Sequence, residues 1–366
     1  MSKAAELANL IGNINAGGGG VNRNVIINGA MNVAQRGTSF TVTNEYGIDR
    51  WFFRENTDGA LTFSQDTTSP DGFYNSLKVN VDSVDSSIGS SQFAHVAQRI
   101  EGFNIQPFAF GSSAAKTIVL SFYVRCSVTG KFGGSVTNGE NNNRSFAFTY
   151  DINSANTWER KSVTIVGDTT GTWNVDNSQE MAVFWSLGAG SGHKKAEGSW
   201  DATASVQSAS EASVELIGNA SATWFITGVQ LEVGQNPTEF EHEKFSQTLQ
   251  KCQRYFQKIE SLGSVGSFNA FPYTGLSRTS TIGKVSLGWI TQLRAAPTIT
   301  TTAANTFAIV NGSGSAIACS SVSVGRTNVN SAMIEFTVSS GLTVGQATYL
   351  TTNNATDPSV SVDSEL

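Results

Sequence analysis

Short runs that alternate between apolar and polar side chains recur along most of this chain, and they limit the folds it can adopt. From Val21 to Val233 the runs are separated by Gly, Asn, Asp and Ser, without a helical stretch between them. Many short strands with intervening turns are typical of an antiparallel sandwich, so the sequence predicts a jelly-roll β-sandwich over residues 21–240. The clearest strand candidates are Leu77–Val81, Val119–Val124, Phe146–Tyr150, Ser162–Val166, Met181–Leu187 and Thr223–Val229.

Residues 262–366 return to this alternation and predict a second, smaller β domain. Turn sequences such as Asn311-Gly312 and Ser340-Gly341 separate its runs. The strand candidates are Gly283–Leu293, Thr298–Thr302, Thr306–Val310, Ala316–Val324, Ala332–Val338 and Ala347–Thr351. The whole chain is therefore predicted to be all-β, apart from two short helical segments.

The first helical segment joins the two β domains, in residues 241–261. Apolar side chains spaced by four, three, four and three residues predict one helix over Glu243–Ile259 with a heptad seam. The seam residues are Phe245, Leu249, Cys252, Phe256 and Ile259. Two heptads are too few for an independent coiled coil. Self-association into a trimer and packing within the chain both remain open at this point.

The second helical segment lies in residues 1–20. Leu7, Leu10, Ile11 and Ile14 share one face of a helix of about three turns, which needs a partner surface to be stable in water. The glycines of residues 17–20 follow as a flexible linker. This arrangement predicts a docking helix on a tether, with a frayed tail as the alternative.

Charge and cysteine content exclude several classes of function. Lys and Arg total 23 against 29 for Asp and Glu, a net charge of −6, and no basic run offers a surface for nucleic acid or anionic lipid. No apolar stretch is long enough to insert into a membrane, and the N-terminus does not resemble a signal peptide. Three distant cysteines, Cys126, Cys252 and Cys319, predict reduced thiols and neither a disulfide framework nor a metal site.

Motifs for catalysis or for cofactor binding do not stand out. The three histidines lack metal-ligand spacing, and no Gly-x-Ser-x-Gly elbow occurs. Asp168, Asp176 and Glu180 lie in one loop region around Trp173, which leaves an acid pair beside a sugar platform as an alternative to a solvated loop. We expect the chain not to be an enzyme and to use no cofactor.

Aromatic residues give the better indication of a binding site. Trp185 and Trp224 alternate with other apolar residues in strands and are expected in the core. Trp173 and Trp200 lie in polar, glycine-containing segments, where flat rings can stack on sugar faces. His193, in a glycine-rich loop, completes the candidate ligand-binding residues of this domain.

Several motifs together resemble the tail fibre proteins of marine and cyanobacterial phages. They extend over about residues 22–258, and the combination is more specific than any single piece. They are Arg23–Met31, Gln35–Gly37, Asp49–Trp51, Pro70–Val79, Gln98–Gly102, Leu120–Val124, Ile226–Gly234, Phe240–Glu241 and Cys252–Phe256. The middle region is also similar, more distantly, to jelly-roll carbohydrate-binding modules.

The resemblance implies a homotrimeric fibre that is assembled in the host cytoplasm and resides on the virion tail. Its partners would be another tail or virion protein at the N-terminal helix and a glycan or other receptor on the host surface. If that helix docks on the virion, the C-terminal domain is distal, and Phe271, Tyr273 and Trp289 become receptor candidates.

Three functions remain as alternatives. The first is a non-catalytic adhesin, in which three weak sites act together through avidity. The second is a structural virion component, such as a tail adaptor or head decoration, whose jelly roll only packs against other proteins. The third is a carbohydrate-binding module of a secreted glycosidase.

Overall fold

A computed structural model describes the protein over residues 2–5, 7–8, 11, 22–41, 44–139, 143–261 and 269–366. The chain divides into two compact units. The first comprises Met1–Thr248 together with Leu366, and the second comprises Leu249–Glu365.

The first unit is built almost entirely from strands, with a single-turn helix α1 (Gly102–Ile105) and 3-10 turns at Gln106–Phe108, Ser191–His193 and Leu216–Gly218. Its strands within the described residues are β1 (Ser39–Phe40), β2 (Asn44–Tyr46), β3 (Phe52–Glu55), β4 (Ala60–Asp66), β5 (Ser76–Ser83), β6 (Phe93–Glu101), β7 (Ile118–Cys126), β8 (Gly130–Asn138), β9 (Ser145–Ile152), β10 (Glu159–Ile165), β11 (Gln179–Ala189), β12 (Lys194–Lys195), β13 (Trp200–Asp201), β14 (Ser208–Ala209) and β15 (Thr223–Val233).

Two antiparallel sheets form the predicted β-sandwich. One sheet has six strands in the order β1-β4-β5-β15-β7-β10, and the other has seven in the order β13-β9-β8-β11-β6-β3-β2. Neighbours in these orders are often distant in sequence, as in a jelly roll rather than a simple meander. A parallel two-stranded ribbon, β12 with β14, forms separately from the two sheets.

The core of the sandwich consists of the inward-facing side chains of both sheets. Trp51, Trp185 and Trp224 are completely buried there, and the rings of Trp51 and Trp185 lie 5.6 Å apart. The expectation that Trp185 and Trp224 are core residues is therefore confirmed. Full burial of an aromatic side chain removes 150–250 Å² from water, about the largest contribution one residue can make to a core.

One long strand, β8, was not evident from the alternation because it contains glycines. At Gly134, a Cβ atom would lie 2.4 Å from both the Phe148 ring and the Phe184 carbonyl oxygen. A side chain is excluded there because the neighbouring strand approaches too closely, so a residue that normally weakens strands is required within one.

The second unit is the predicted smaller β domain, and it contains a closed barrel. The barrel order is β17-β18-β22-β21-β20-β23, and a separate three-stranded sheet has the order β16-β24-β19. A 3-10 turn occupies Ala304–Thr306. The strands are β16 (Phe256–Glu260), β17 (Ala270–Ser277), β18 (Ile282–Gly288), β19 (Thr298–Thr301), β20 (Phe307–Val310), β21 (Ala316–Thr327), β22 (Ser331–Val338), β23 (Ala347–Thr352) and β24 (Ser359–Asp363).

The predicted helix over Glu243–Ile259 is wrong in its second half. Helix α2 spans Phe245–Gln253, the chain then turns, and β16 pairs with β24 through the register Phe256↔Asp363 to Glu260↔Ser359. Pairing with a strand about one hundred residues later provides backbone hydrogen bonds that local periodicity cannot indicate.

This correction changes the residues that a helical seam can use. Phe256 and Ile259 lie on a strand and are buried, at 4% and 6% exposure, and Cys252 is also buried. On α2 itself, Phe245 is 58% exposed and Leu249 is half-buried. A trimer seam on this helix remains a prediction, and Phe245 and Leu249 are the residues that can still contribute to it.

The N-terminal segment is helical at residues 3–5, 7–8 and 11, where Leu7 and Ile11 are exposed. Leu10, Ile14 and the glycine linker lie outside the described residues. The three cysteines are free and buried, and burial raises the pKa of Cys126 to about 11 and that of Cys319 to about 12. Among the helices in the described part of the chain, none has the length and apolar character needed to span a bilayer.

Candidate functional site

Loops from both sheets converge at one end of the sandwich. Strand β11 begins at Gln179 opposite Glu101, the last residue of β6, and its next residues pair with Asn138, the last residue of β8. The segments after β6, between β8 and β9 and before β11 therefore start or finish at the same edge. Loops at sandwich ends commonly carry binding sites because the sheets hold them rigidly.

A polar groove of about 320 Å³ lies among these loops. Its lining consists of amide, hydroxyl and carboxylate side chains and one glycine. We call it the end groove, and it is formed by Asn138, Gly139, Asn143, Thr172, Asn174, Ser178 and Glu180. Its volume is at the lower limit for pockets that hold small organic ligands.

Hydrogen bonds inside the protein occupy some of the lining side chains. The amide nitrogen of Asn138 donates to the Thr172 carbonyl oxygen at 3.2 Å, and the amide nitrogen of Asn174 donates to Glu180 at 2.9 Å. Asn143 and Thr172 are exposed, and their side chains make no hydrogen bond within the described residues. These two side chains are therefore free to bind a polar ligand.

The two predicted loop tryptophans meet beside the groove. Their rings pack edge to face at 5.6 Å, and Phe110 contacts Trp173 at 5.0 Å and Trp200 at 5.8 Å. The indole nitrogen of Trp200 donates to the Val166 carbonyl oxygen at 2.7 Å. Both rings are half-buried and pack against the sandwich core.

Trp173 lies between Thr172 and Asn174, which both line the groove, whereas its own ring packs into the aromatic cluster. The packing of Trp173 therefore holds Thr172 and Asn174 in place along the groove. A contact between either tryptophan and a ligand stays a prediction.

An ion pair holds the loop that carries Trp173. Arg144 donates to Asp168 through Nε at 2.5 Å and Nη2 at 2.7 Å, and the Asp168 side chain is only 2% exposed. The same carboxylate accepts hydrogen bonds from Thr170 and from the Trp173 indole nitrogen, at 3.2 Å each. Burial alone would raise the pKa of Asp168, but the Arg144 guanidinium and these donors hold it below its ordinary value.

Two further carboxylates, Glu180 in the groove lining and Asp176 next to it behind Ser178, have no cation within salt-bridge distance among the described residues. Glu180 is buried and accepts hydrogen bonds from Asn174 and from Ser178. Asp176 accepts bonds from the backbone and hydroxyl of Ser178, and these lower the pKa of Asp176. A general acid at neutral pH needs a raised pKa, and Asp168 and Asp176 are shifted in the opposite direction.

The remaining candidate residue of this unit, His193, lies elsewhere in the loops. Its Nδ1 is 2.9 Å from the Ser205 carbonyl oxygen, its Nε2 is 3.1 Å from that of Ser91, and its ring packs edge to face on Phe93. Both ring nitrogens thus lie within hydrogen-bond distance of backbone carbonyl oxygens, and a neutral imidazole donates to one of the two. The structure does not bring His193 into contact with the tryptophan cluster.

The receptor candidates of the second unit have different surroundings. Phe271 is 3% exposed and packs against Phe307 in the barrel core, so its prediction as a surface contact is corrected. Tyr273 and Trp289 are half-buried, and their polar atoms donate to the carbonyl oxygens of Gly288 and Asn328 at 3.0 Å. Burial raises the pKa of Tyr273, so the phenol stays protonated.

Sequence reasoning missed the residues of the β8–β9 hairpin that line the groove. The run Asn141-Asn142-Asn143 was the available indication, because amide-rich turns often face solvent. Only the fold shows that this hairpin faces the loop of Thr172 and Asn174. Within the described residues, no three His, Cys, Asp or Glu side chains lie close enough together to hold a metal ion.

Comparison with known proteins gives no family assignment. No family model and no curated protein matches this chain. Among solved structures, a putative sugar-binding protein from Bacteroides thetaiotaomicron is 14% identical, with a TM-score of 0.36 over 57% of this chain and 99% of that chain.

Two other solved structures have similar scores. A tailspike protein 4 domain of bacteriophage CBA120 is 12% identical, with a TM-score of 0.32 over 58% of this chain and 21% of that chain. A family 11 carbohydrate-binding module from Clostridium thermocellum is 10% identical, with a TM-score of 0.29 over 56% of this chain and 99% of that chain. Similarity at this level gives no information on which residues of this chain bind a ligand.

Proposed function

We propose that this chain is a non-catalytic glycan-binding subunit of a phage tail fibre, and that the end groove holds the glycan. The observation that carries the glycan part is the 320 Å³ groove with its free Asn143 and Thr172 side chains. Sugar hydroxyls both donate and accept hydrogen bonds, and amides and hydroxyls complement them in both respects.

The hydrogen-bonded carboxylates support binding rather than hydrolysis. Asp168 is held by Arg144, and Asp176 is held by Ser178, so both carboxylates stay ionised at neutral pH. Hydrolysis of a glycosidic bond usually requires one protonated carboxyl group beside the scissile oxygen. In this proposal the carboxylates therefore shape the groove.

The tail-fibre part of the proposal rests on the resemblance of residues 22–258 to phage tail fibre proteins. In this proposal three copies associate, the N-terminal helix docks on another virion protein and the β domains face the host surface. The exposed Leu7, Ile11 and Phe245 are suitable for such contacts, because exposed apolar side chains are common at protein interfaces.

Glycan binding can be tested with the full-length chain and neutral hexasaccharides of glucose, galactose and mannose. We expect calorimetry to show binding of at least one hexasaccharide without release of new reducing ends. A double variant, Asn143→Ala with Thr172→Ala, should weaken that binding about tenfold or more without changing Tm, because each lost hydrogen bond is worth about 1 kcal/mol.

The matched control is Asn80→Ala, which removes a half-exposed amide from β5 in the six-stranded sheet. It should leave binding unchanged. Glycan binding at the end groove is refuted if none of the hexasaccharides binds, or if the double variant binds as well as the control.

A second function, packing against another virion protein, is favoured by a different observation. Phe103 and Val175 are 52% and 48% exposed, and the Phe103 backbone is hydrogen-bonded to the Asp176 carbonyl oxygen beside the groove. If this end of the sandwich only contacts protein, Phe103→Ser should reduce virion incorporation, and no hexasaccharide should bind the unaltered chain.

A further inference from the structure

The side chains of the end groove differ in how many donors and acceptors they leave free. The amide nitrogens of Asn138 and Asn174 each use one of their two N–H groups inside the protein, and the hydroxyl of Ser178 is also used. Glu180 and Asp176, in contrast, are acceptors only. Uncharged donors on Asn143 and Thr172 therefore remain for a ligand, and carboxylate acceptors lie close to them.

The charges at the groove are also unbalanced. Arg144 is neutralised by its two bonds to Asp168. No cation of the described residues lies within salt-bridge distance of Asp176 or Glu180. The Oδ1 atom of Asp176 takes both bonds from Ser178, which leaves Oδ2 without a partner in the described part of the chain. This site therefore carries excess negative charge.

From this arrangement we propose that the groove selects neutral glycans and rejects glycans that carry carboxylate groups, and that Asp176 contributes to this rejection. This inference rests on the proposed glycan binding and names the ligand class of the same site. A ligand carboxylate is stabilised by nearby cations, and here it would meet the like charges of Glu180 and Asp176, which no cation of the described residues neutralises.

The hydrogen bonds of Asp176 hold its carboxylate in a fixed position. Its backbone is fixed between α1 and β11, because its carbonyl oxygen accepts from Phe103 at 2.9 Å and its side chain accepts from the Ser178 backbone at 2.8 Å. At Gly102, a Cβ atom would lie 2.9 Å from the Asp176 nitrogen, so the two segments are in close contact. The carboxylate therefore cannot easily move away from an approaching anion.

The test uses pairs of ligands that differ only at C6, where a neutral hydroxymethyl group is replaced by a carboxylate. Each neutral hexasaccharide is compared with the same hexasaccharide after oxidation of its C6 hydroxyls to carboxylates. We expect the oxidised form to bind the full-length chain about tenfold more weakly at low ionic strength, as repulsion between charges near a protein surface implies.

Added salt, and removal of the Asp176 charge, should each reduce the difference in affinity between the neutral and the oxidised hexasaccharide. Raising NaCl from about 0.02 M to about 0.5 M shortens the Debye length from about 20 Å to about 4 Å, so oxidised ligands should bind better and neutral ones unchanged. Asp176→Asn should improve binding of the oxidised form several-fold. Asp151→Asn, which removes an exposed carboxylate near the other end of β9, should not do so.

The outcomes separate this inference from the proposed function. Equal or tighter binding of an oxidised hexasaccharide, or equal effects of Asp176→Asn and Asp151→Asn, would overturn the charge selection while glycan binding stands. If neither form of any hexasaccharide binds, glycan binding itself is refuted, and the selection with it.

Discussion

The ion pair between Arg144 and Asp168 is the contact whose removal has the clearest expected cost. Breaking a buried pair by removing one partner costs about 3–5 kcal/mol, because the other charge is left uncompensated. The Arg144 side chain is 16% exposed and that of Asp168 is 2% exposed, so this pair is nearly buried and its loss should cost almost as much. Asp168→Asn keeps one acceptor oxygen, which can serve either Thr170 or Trp173 but not both, and we expect a loss of about 2–4 kcal/mol.

The pH dependence gives the same prediction a second and independent test. The pKa of Asp168 in the folded protein lies below that of an unfolded aspartate, which is about 3.9. Its contribution to stability is therefore complete above the unfolded pKa and is lost as the pH falls through the folded pKa. The stability difference between the unaltered chain and Asp168→Asn should be full at pH 7 and should narrow below about pH 4.

Urea denaturation followed by tryptophan fluorescence measures this difference. Six of the seven tryptophans lie in the first unit, so the signal reports mainly on the unit that contains the pair. The control is Glu239→Gln, whose side chain is 85% exposed and whose partner is Arg160 at 3.1 Å, and an exposed pair contributes about 0–1 kcal/mol. A loss for Asp168→Asn no larger than the control, or independent of pH, would refute the reasoning.

Two further predictions concern the loop geometry and the assembly. At Gly171, where φ is +80°, a Cβ atom would lie 2.2 Å from the Arg144 Cδ atom, whereas Gly198 has φ +91° and open space around it. Gly171→Ala should therefore lower both Tm and glycan affinity, whereas Gly198→Ala should cost only about 1 kcal/mol of unfolding free energy through backbone strain and leave the glycan affinity unchanged. Phe245→Asp should keep the fold but convert the expected trimer to a monomer in light scattering, because this side chain is 58% exposed. A trimer that persists would exclude Phe245 from the interface.

Much of the fold could be predicted from sequence because sandwich strands bury one face and expose the other. The run at Leu77–Val81 lies within β5 for this reason, whereas Met181–Leu187 lies within β11, whose residues are buried on both faces. The prediction was wrong after Gln253, where a heptad spacing continued into β16. A spacing of three residues from Phe256 to Ile259 fits a helix, and it also fits a short strand buried on both faces. The pairing with β24 decided between the two.

The candidate site was less predictable, since it is assembled from distant loops. The composition around Trp173 and Trp200 indicated a polar aromatic region, but not that the two rings pack together at 5.6 Å. Asn138 and Asn143 come from a hairpin more than twenty residues earlier and gave no periodic pattern. Phe271, by contrast, was placed at a surface because local sequence does not show which face of a strand closes a barrel.

The small size of the end groove is a reason to expect that the proposed trimer matters for binding. A groove of about 320 Å³ with two free polar side chains encloses little of a ligand, so a single site should bind weakly. In the proposed function, adhesion to a cell would depend on several copies acting together, since linked sites can raise avidity by about 10²–10⁴ without any new contact. Phe245→Asp distinguishes the affinity of a single site from the avidity of the trimer. It should leave the affinity for a hexasaccharide unchanged and reduce binding to a glycan-coated surface by the full avidity factor. Equal loss in both measurements would instead mean that the substitution disturbs the first unit itself.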